Sequence, residues 1–144
     1  MRSQMSTLAL LGLVVTLVAL LAPPRFAGAV VPPLPAKTWQ GIRYVSGGVG
    51  VEEREALRAM DQDFNVQLIF ATPRGDYLAN VGVVMQDSTG FTVLDTVSQG
   101  PWFFAQLPAG TYTVTARLKE QSVQQVVHVS PASQTDLVLT LNAP

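Results

Sequence analysis

The sequence predicts a mainly β fold, a seven-stranded antiparallel β-sandwich preceded by one short α-helix. Three observations predict it. From Thr111 to Leu118 the chain alternates strictly, with Tyr112, Val114, Ala116 and Leu118 on one face and Thr111, Thr113, Thr115 and Arg117 on the other. Period-two alternation of that length is a strand with one buried and one wet face. Six further short runs of strand composition recur at near-regular spacing, punctuated by Gly or Pro, which is the pattern of an antiparallel sandwich. Only one segment has helical period, so the long αβ alternation of a parallel sheet is missing.

The elements follow in chain order. Met1-Arg2 gives a positive start, and Thr7 to Ala22 is an apolar run without charge. Pro23-Pro24-Arg25 ends that run, and Ala27-Gly28-Ala29 supplies small residues in an A-x-A pattern. These are the parts of a secretory signal peptide over residues 1–29, cut after Ala29. A retained membrane anchor is the competing reading, but a span needs about twenty apolar residues and this run is shorter. No Cys follows it, which excludes a lipid-anchored lipoprotein. Residues 30–43 open with three prolines in VVPPLPAK and are read as a stiff, extended leader. Residues 44–64 hold a Gly-rich turn, Ser46 to Gly50, and a helix over Val51 to Gln62. Glu52, Glu53 and Glu55 sit where the helix dipole favours them. Ala56, Leu57, Met60 and Phe64 form an apolar stripe, with Arg54 and Arg58 facing outward. A helix this short needs a surface to dock on.

Residues 65–144 form the sandwich. Its strands are placed at Asn65 to Ala71, Leu78 to Asp87, Phe91 to Val97, Trp102 to Leu107, the run from Thr111, Ser122 to Val129, and Asp136 to Leu141. In the third of these Phe91, Val93 and Asp95 oppose Thr92, Leu94 and Thr96. The triplet Trp102-Phe103-Phe104 cannot all face one side, so Trp102 and Phe103 are the candidate interaction surface. The other possibility is that these rings lie under the N-terminal helix.

Composition narrows the function classes. There is no Cys, so the domain is held by burial without disulfides, which fits a bacterial periplasm or exterior. Setting aside Arg2 and Arg25 leaves seven basic residues against ten acids, a formal charge of about −3. The basic residues are scattered, so neither nucleic acid nor an anionic membrane surface is an expected partner.

The run from Phe104 to Val114 resembles the F-x-x-L-P-x-G-x-Y-x-V signature of the carboxypeptidase regulatory-like domain, a transthyretin-like (prealbumin-like) sandwich. Asp76 to Val83 resembles that family's turn and following strand, and the Val-rich final pair resembles its C-terminal end. The resemblance spans Val66 to Leu141 and implies a fold more than an activity. It implies that Leu107, Pro108, Gly110 and Tyr112 are fold residues. Pro108 presets the turn, Gly110 takes positive φ, and the Tyr112 hydroxyl returns to the backbone. The transthyretin-like hydroxyisourate hydrolases use several histidines and a Y-R-G-S end, neither of which this sequence has. The region ahead of it, Tyr44 to Gly50 and the acidic helix, looks like small exported proteobacterial proteins.

The chemistry-bearing residues are sparse. His128 is the only histidine, and Ser130 and Asp136 are near it in sequence but on a turn and another strand, so no triad is expected. Asp61, Asp63 and Asn65 begin a calcium-loop pattern that fails at Val66 and Thr72. Gly47-Gly48-Val49-Gly50 before a helix offers an anion site that the glutamates oppose. Asp87 and Asp95 flank one hairpin turn as a carboxylate pair. The expectation is therefore a non-enzyme with no catalytic residues, cofactor or metal: an exported interaction or ligand-binding accessory whose partner is another envelope protein. A small envelope hydrolase and a subunit assembling through sheet edges are the alternatives.

Overall fold

The computed structural model describes Gly28 and residues 31–143, so the signal-peptide expectation lies outside the described residues except at Gly28. The chain runs β1 (Lys37–Trp39), β2 (Ile42–Gly47), α1 (Val51–Ala59), a 3-10 turn (Asp61–Asp63), β3 (Val66–Ala71), β4 (Val81–Asp87), β5 (Thr92–Ser98), β6 (Trp102–Gln106), β7 (Gly110–Leu118), β8 (Gln121–Val129) and β9 (Thr135–Thr140). The strands form a five-stranded sheet, β1-β2-β6-β3-β9, and a four-stranded sheet, β5-β4-β7-β8. Between them lies the main core, in which Phe70, Leu68, Met85, Leu94, Phe103 and Val114 are buried completely or nearly so. The mainly β, two-sheet expectation with one helix is borne out.

The strand count and pairing need correction. Nine strands are present rather than seven, because the leader ends in a hairpin, β1–β2, that joins the larger sheet through β6. Its turn, Gln40-Gly41, has positive φ at both positions (45° and 84°), the requirement of the tightest hairpin connections. The sandwich is also not wholly antiparallel: β3 and β9 pair in parallel from Val66↔Thr135 to Ala71↔Thr140. The helix is shorter than expected, ending at Ala59 before the 3-10 turn.

In β5 the side facing the core is the one that carries Leu94, while Phe91, ahead of the strand, is exposed; the register with β4 shifts between Met85 and Gln86. The β7 alternation holds, with Tyr112, Val114 and Ala116 buried on the core side.

Candidate functional site

The aromatic triplet has an internal role. Trp102, Phe103 and Phe104 are all buried, which corrects the expectation of an exposed contact ring. The alternation argument assumed one wet face, but β6 is central in its sheet and covered on both sides. On the core side Phe103 stacks on Tyr44, with ring centroids 5.5 Å apart. On the outer side Trp102 and Phe104 lie 6.2 Å apart in a second cluster with Val45, Leu57, Met60 and Phe64. That cluster is the docking surface of α1, whose Leu57 is fully buried on it. Arg58 lies over the Trp102 ring at 5.1 Å and Arg43 over Phe64 at 5.6 Å. The Trp102 indole N–H is the one buried side-chain polar group without a hydrogen bond among the described residues, so this ring is held by packing and by the cation above it.

The Gly-rich segment is closed by the helix that follows it. The Glu53 carboxylate accepts the N–H groups of Gly48 (2.9 Å) and Val49 (3.2 Å). Arg54 donates to the Gly48 carbonyl at 2.9 Å and is half-buried, with its guanidinium over Tyr77, rather than facing outward. Two of the loop donors that an external anion would use, the Gly48 and Val49 N–H groups, are therefore taken by the protein's own carboxylate. At Gly48 φ is 92°, a conformation that glycine takes at little cost. Nearby, Gly100 packs directly on the Gly47 backbone, and a Cβ there would collide with it.

The signature residues act in the fold. The Tyr112 hydroxyl donates to the Pro108 carbonyl at 2.7 Å, closing the β6–β7 turn. Burial pushes the Tyr112 phenol above its usual range, with the Asp87 charge adding to the effect. Leu107 is buried, and its backbone N–H and carbonyl are both held by the Asn65 side chain, at 2.9 and 2.7 Å. At Gly110 φ is 159°, nearly extended, so the turn does not draw on left-handed backbone there.

The remaining candidates do not converge. His128 Nδ1 and the Thr111 hydroxyl share a hydrogen bond of 3.0 Å on the exposed face, while Ser130 Oγ accepts the Ala132 N–H and Asp136 pairs in register with Gln67. Asp87 and Asp95 are not opposite one another, since Asp95 faces Val84. The Asp87 carboxylate is enclosed by its own turn, accepting from the Thr89 N–H and hydroxyl and from the Phe91 N–H. These bonds, led by the Thr89 hydroxyl, hold its pKa below the usual carboxylate value. Asn65 uses its amide on Leu107, which removes it from any ion site with Asp61 and Asp63. Among the described residues no three His, Cys, Asp or Glu side chains gather as metal ligands.

Two surfaces remain open. An open groove of about 550 Å³ lies at one end of the sandwich, between Asp61, Asn65 and Pro108 on one side and Pro131 and Gln134 on the other. The second is the outer face of the four-stranded sheet, which carries Val84, Val97, Thr113 and Val126 around a buried Thr115. No helix among the described residues packs on it, and Val97 and Val126 are 54% and 58% exposed. Sequence reasoning placed the β7 threonines on a wet face but did not single that face out. The neighbouring valines of β4 and β8 were the available signal. No helix among the described residues is long and apolar enough to cross a membrane. Compared with known proteins, the chain matches no family model and no curated protein.

Proposed function

We propose that the protein is an exported, non-catalytic β-sandwich module, periplasmic or secreted, that binds another bacterial envelope protein through the outer face of its four-stranded sheet. The observation that carries this reading is the contrast in coverage. α1 covers the aromatic surface of the larger sheet, whose outer face keeps an exposed valine at its β9 edge, Val138, whereas Val97 and Val126 on the smaller sheet both stay more than half exposed. Exposed apolar side chains on an open sheet face favour a protein contact over a small-molecule one. Export is supported by the charged start, apolar run and small-residue site of residues 1–29. On this reading the sandwich is a carboxypeptidase regulatory-like, transthyretin-like domain, to which β1, β2 and α1 are additions. The Tyr112–Pro108 bond supports it, because it gives the L-P-x-G-x-Y run a turn-closing role.

The reactive groups support a binding role, since they do not converge: Asn65 spends both amide atoms on Leu107, Asp87 Oδ1 closes its own turn, and His128 Nδ1 bonds Thr111 on the exposed face. The test is affinity capture from envelope extract with two variants. Capture of a specific partner should be lost with Val97→Glu and kept with Glu55→Gln on the helix. Capture indifferent to Val97→Glu, or substrate turnover abolished by His128→Ala, would overturn the reading.

A further inference from the structure

We infer that β8 is a pairing edge that accepts β8 of a second copy of this chain, antiparallel, about a two-fold axis at Gln124. The inference does not depend on the envelope partner proposed above, because it concerns the strand's edge and not the sheet's face.

The two sheets have four edge strands: β1, β9, β5 and β8. Exposed edges offer unpaired backbone groups, and proteins normally blunt them with short length, charge, proline or bulges. Three of the four are blunted in these ways. β1 has three residues and begins at Lys37, β5 is bulged and carries Asp95, and β9 has six residues with Asp136 among them. By contrast β8 has nine residues, QSVQQVVHV, with no Lys, Arg, Asp, Glu, Pro or Gly. Its register with β7 runs unbroken from Gly110↔Val129 to Leu118↔Gln121.

The strand is tied at its ends and free in its middle. The His128 carbonyl accepts the Thr135 hydroxyl at 3.3 Å, and the Gln121 side chain exchanges two hydrogen bonds with the Asn142 backbone. Between these ties Gln124, Gln125 and Val126 are all exposed, so both faces of the strand are open there. Backbone groups of alternate residues in an antiparallel strand point to opposite sides. The His128 carbonyl points away from β7. Ser122, Gln124 and Val126 share its phase, so their N–H and C=O groups point outward too. With His128 tied to Thr135, these three remain to be paired.

One two-fold register pairs all three. Centred on Gln124, it sets Ser122 opposite Val126 of the second copy and Gln124 opposite itself. The absence of charge lets the strand meet its own copy with no like charges opposed. Such a contact is self-complementary and closes at two copies. The two four-stranded sheets become one sheet of eight strands.

The chain has no Cys, so Gln124→Cys introduces a lone thiol. Residues that exchange both backbone bonds have Cα atoms about 5.5 Å apart, within disulfide reach. In the full chain under mild oxidation, Gln124→Cys should give a covalent dimer. Adding Val126→Lys should abolish it, and Thr140→Cys on β9 should stay uncross-linked. All three sites are exposed, so the variants should stay folded, with unchanged circular dichroism as the check. The inference is overturned if Gln124→Cys stays monomeric, cross-links no better than Thr140→Cys, or keeps its yield with Val126→Lys. Loss of envelope capture with an intact cross-link would count against the proposed function alone.

Discussion

The two outer faces of the sandwich are built on opposite terms. The larger sheet turns Val45, Trp102 and Phe104 outward and covers them with α1 and Leu34. The smaller sheet turns threonines, glutamines and isolated valines outward with no helix over them, leaving Gln124, Val97 and Val126 exposed although Thr115 is buried. Both faces alternate in the same way along their strands. What differs is the size of the outward residues, and that sets whether a face needs a lid or can meet solvent. Large rings contribute about 1.5–3 kcal/mol each when buried, enough to hold a helix that is marginal alone.

Perturbing each face tests that contrast. Phe104→Ala should remove the support of α1 and cost about 3–5 kcal/mol, read as a lowered denaturant midpoint with loss of helical signal. An unchanged midpoint would mean that the helix is not held by this cluster. Gly100→Ala should cost about 3 kcal/mol, because the new methyl meets Gly47 backbone rather than a side chain that can move aside. A neutral result in thermal unfolding would show that the Gly47–Gly100 approach can relax.

Tyr112→Phe should cost about 1 kcal/mol by removing the bond to Pro108. The wild-type phenol is raised in the folded state, so its contribution is complete below the unfolded pKa of about 10. It is lost as pH rises through the folded value. The Phe variant should therefore show a shallower alkaline loss of stability, and equal slopes would remove Tyr112 from that account. The smallest effect is expected on the bare face, where Val97→Glu should shift stability by less than about 0.5 kcal/mol. A large loss there would mean that the face is structural.

Much of the fold was legible because periodicity reports burial. The seven strands from β3 to β9 and the Ala56–Leu57–Met60–Phe64 stripe lie where spacing puts them. Periodicity carries no information on which strands pair, so the parallel β3–β9 ladder was not readable. The β1–β2 hairpin escaped notice because Lys37–Trp39 is too short to show a period and follows a proline run. Of the two readings of Trp102–Phe104, that of rings under the N-terminal helix holds for Trp102 and Phe104; the exposed contact ring fails because alternation implies a wet face only when one side of the strand is uncovered. In the candidate site, the two-residue spacing alone puts His128 on one face with Val126 and Gln124, and the structure shows that face to be the outer one. The open edge of β8 was not foreseen, since edge position depends on the partner order of the whole sheet.

The parallel β3–β9 ladder also sets an order of events. β3 follows the helix and β9 is the last described strand, about seventy residues further along the chain, yet they lie side by side. The larger sheet therefore cannot close until the C-terminal strand has arrived, and so long-range a contact slows folding. For a chain that is exported, as proposed, that delay has a use: the larger sheet stays open until a strand far along the chain reaches it.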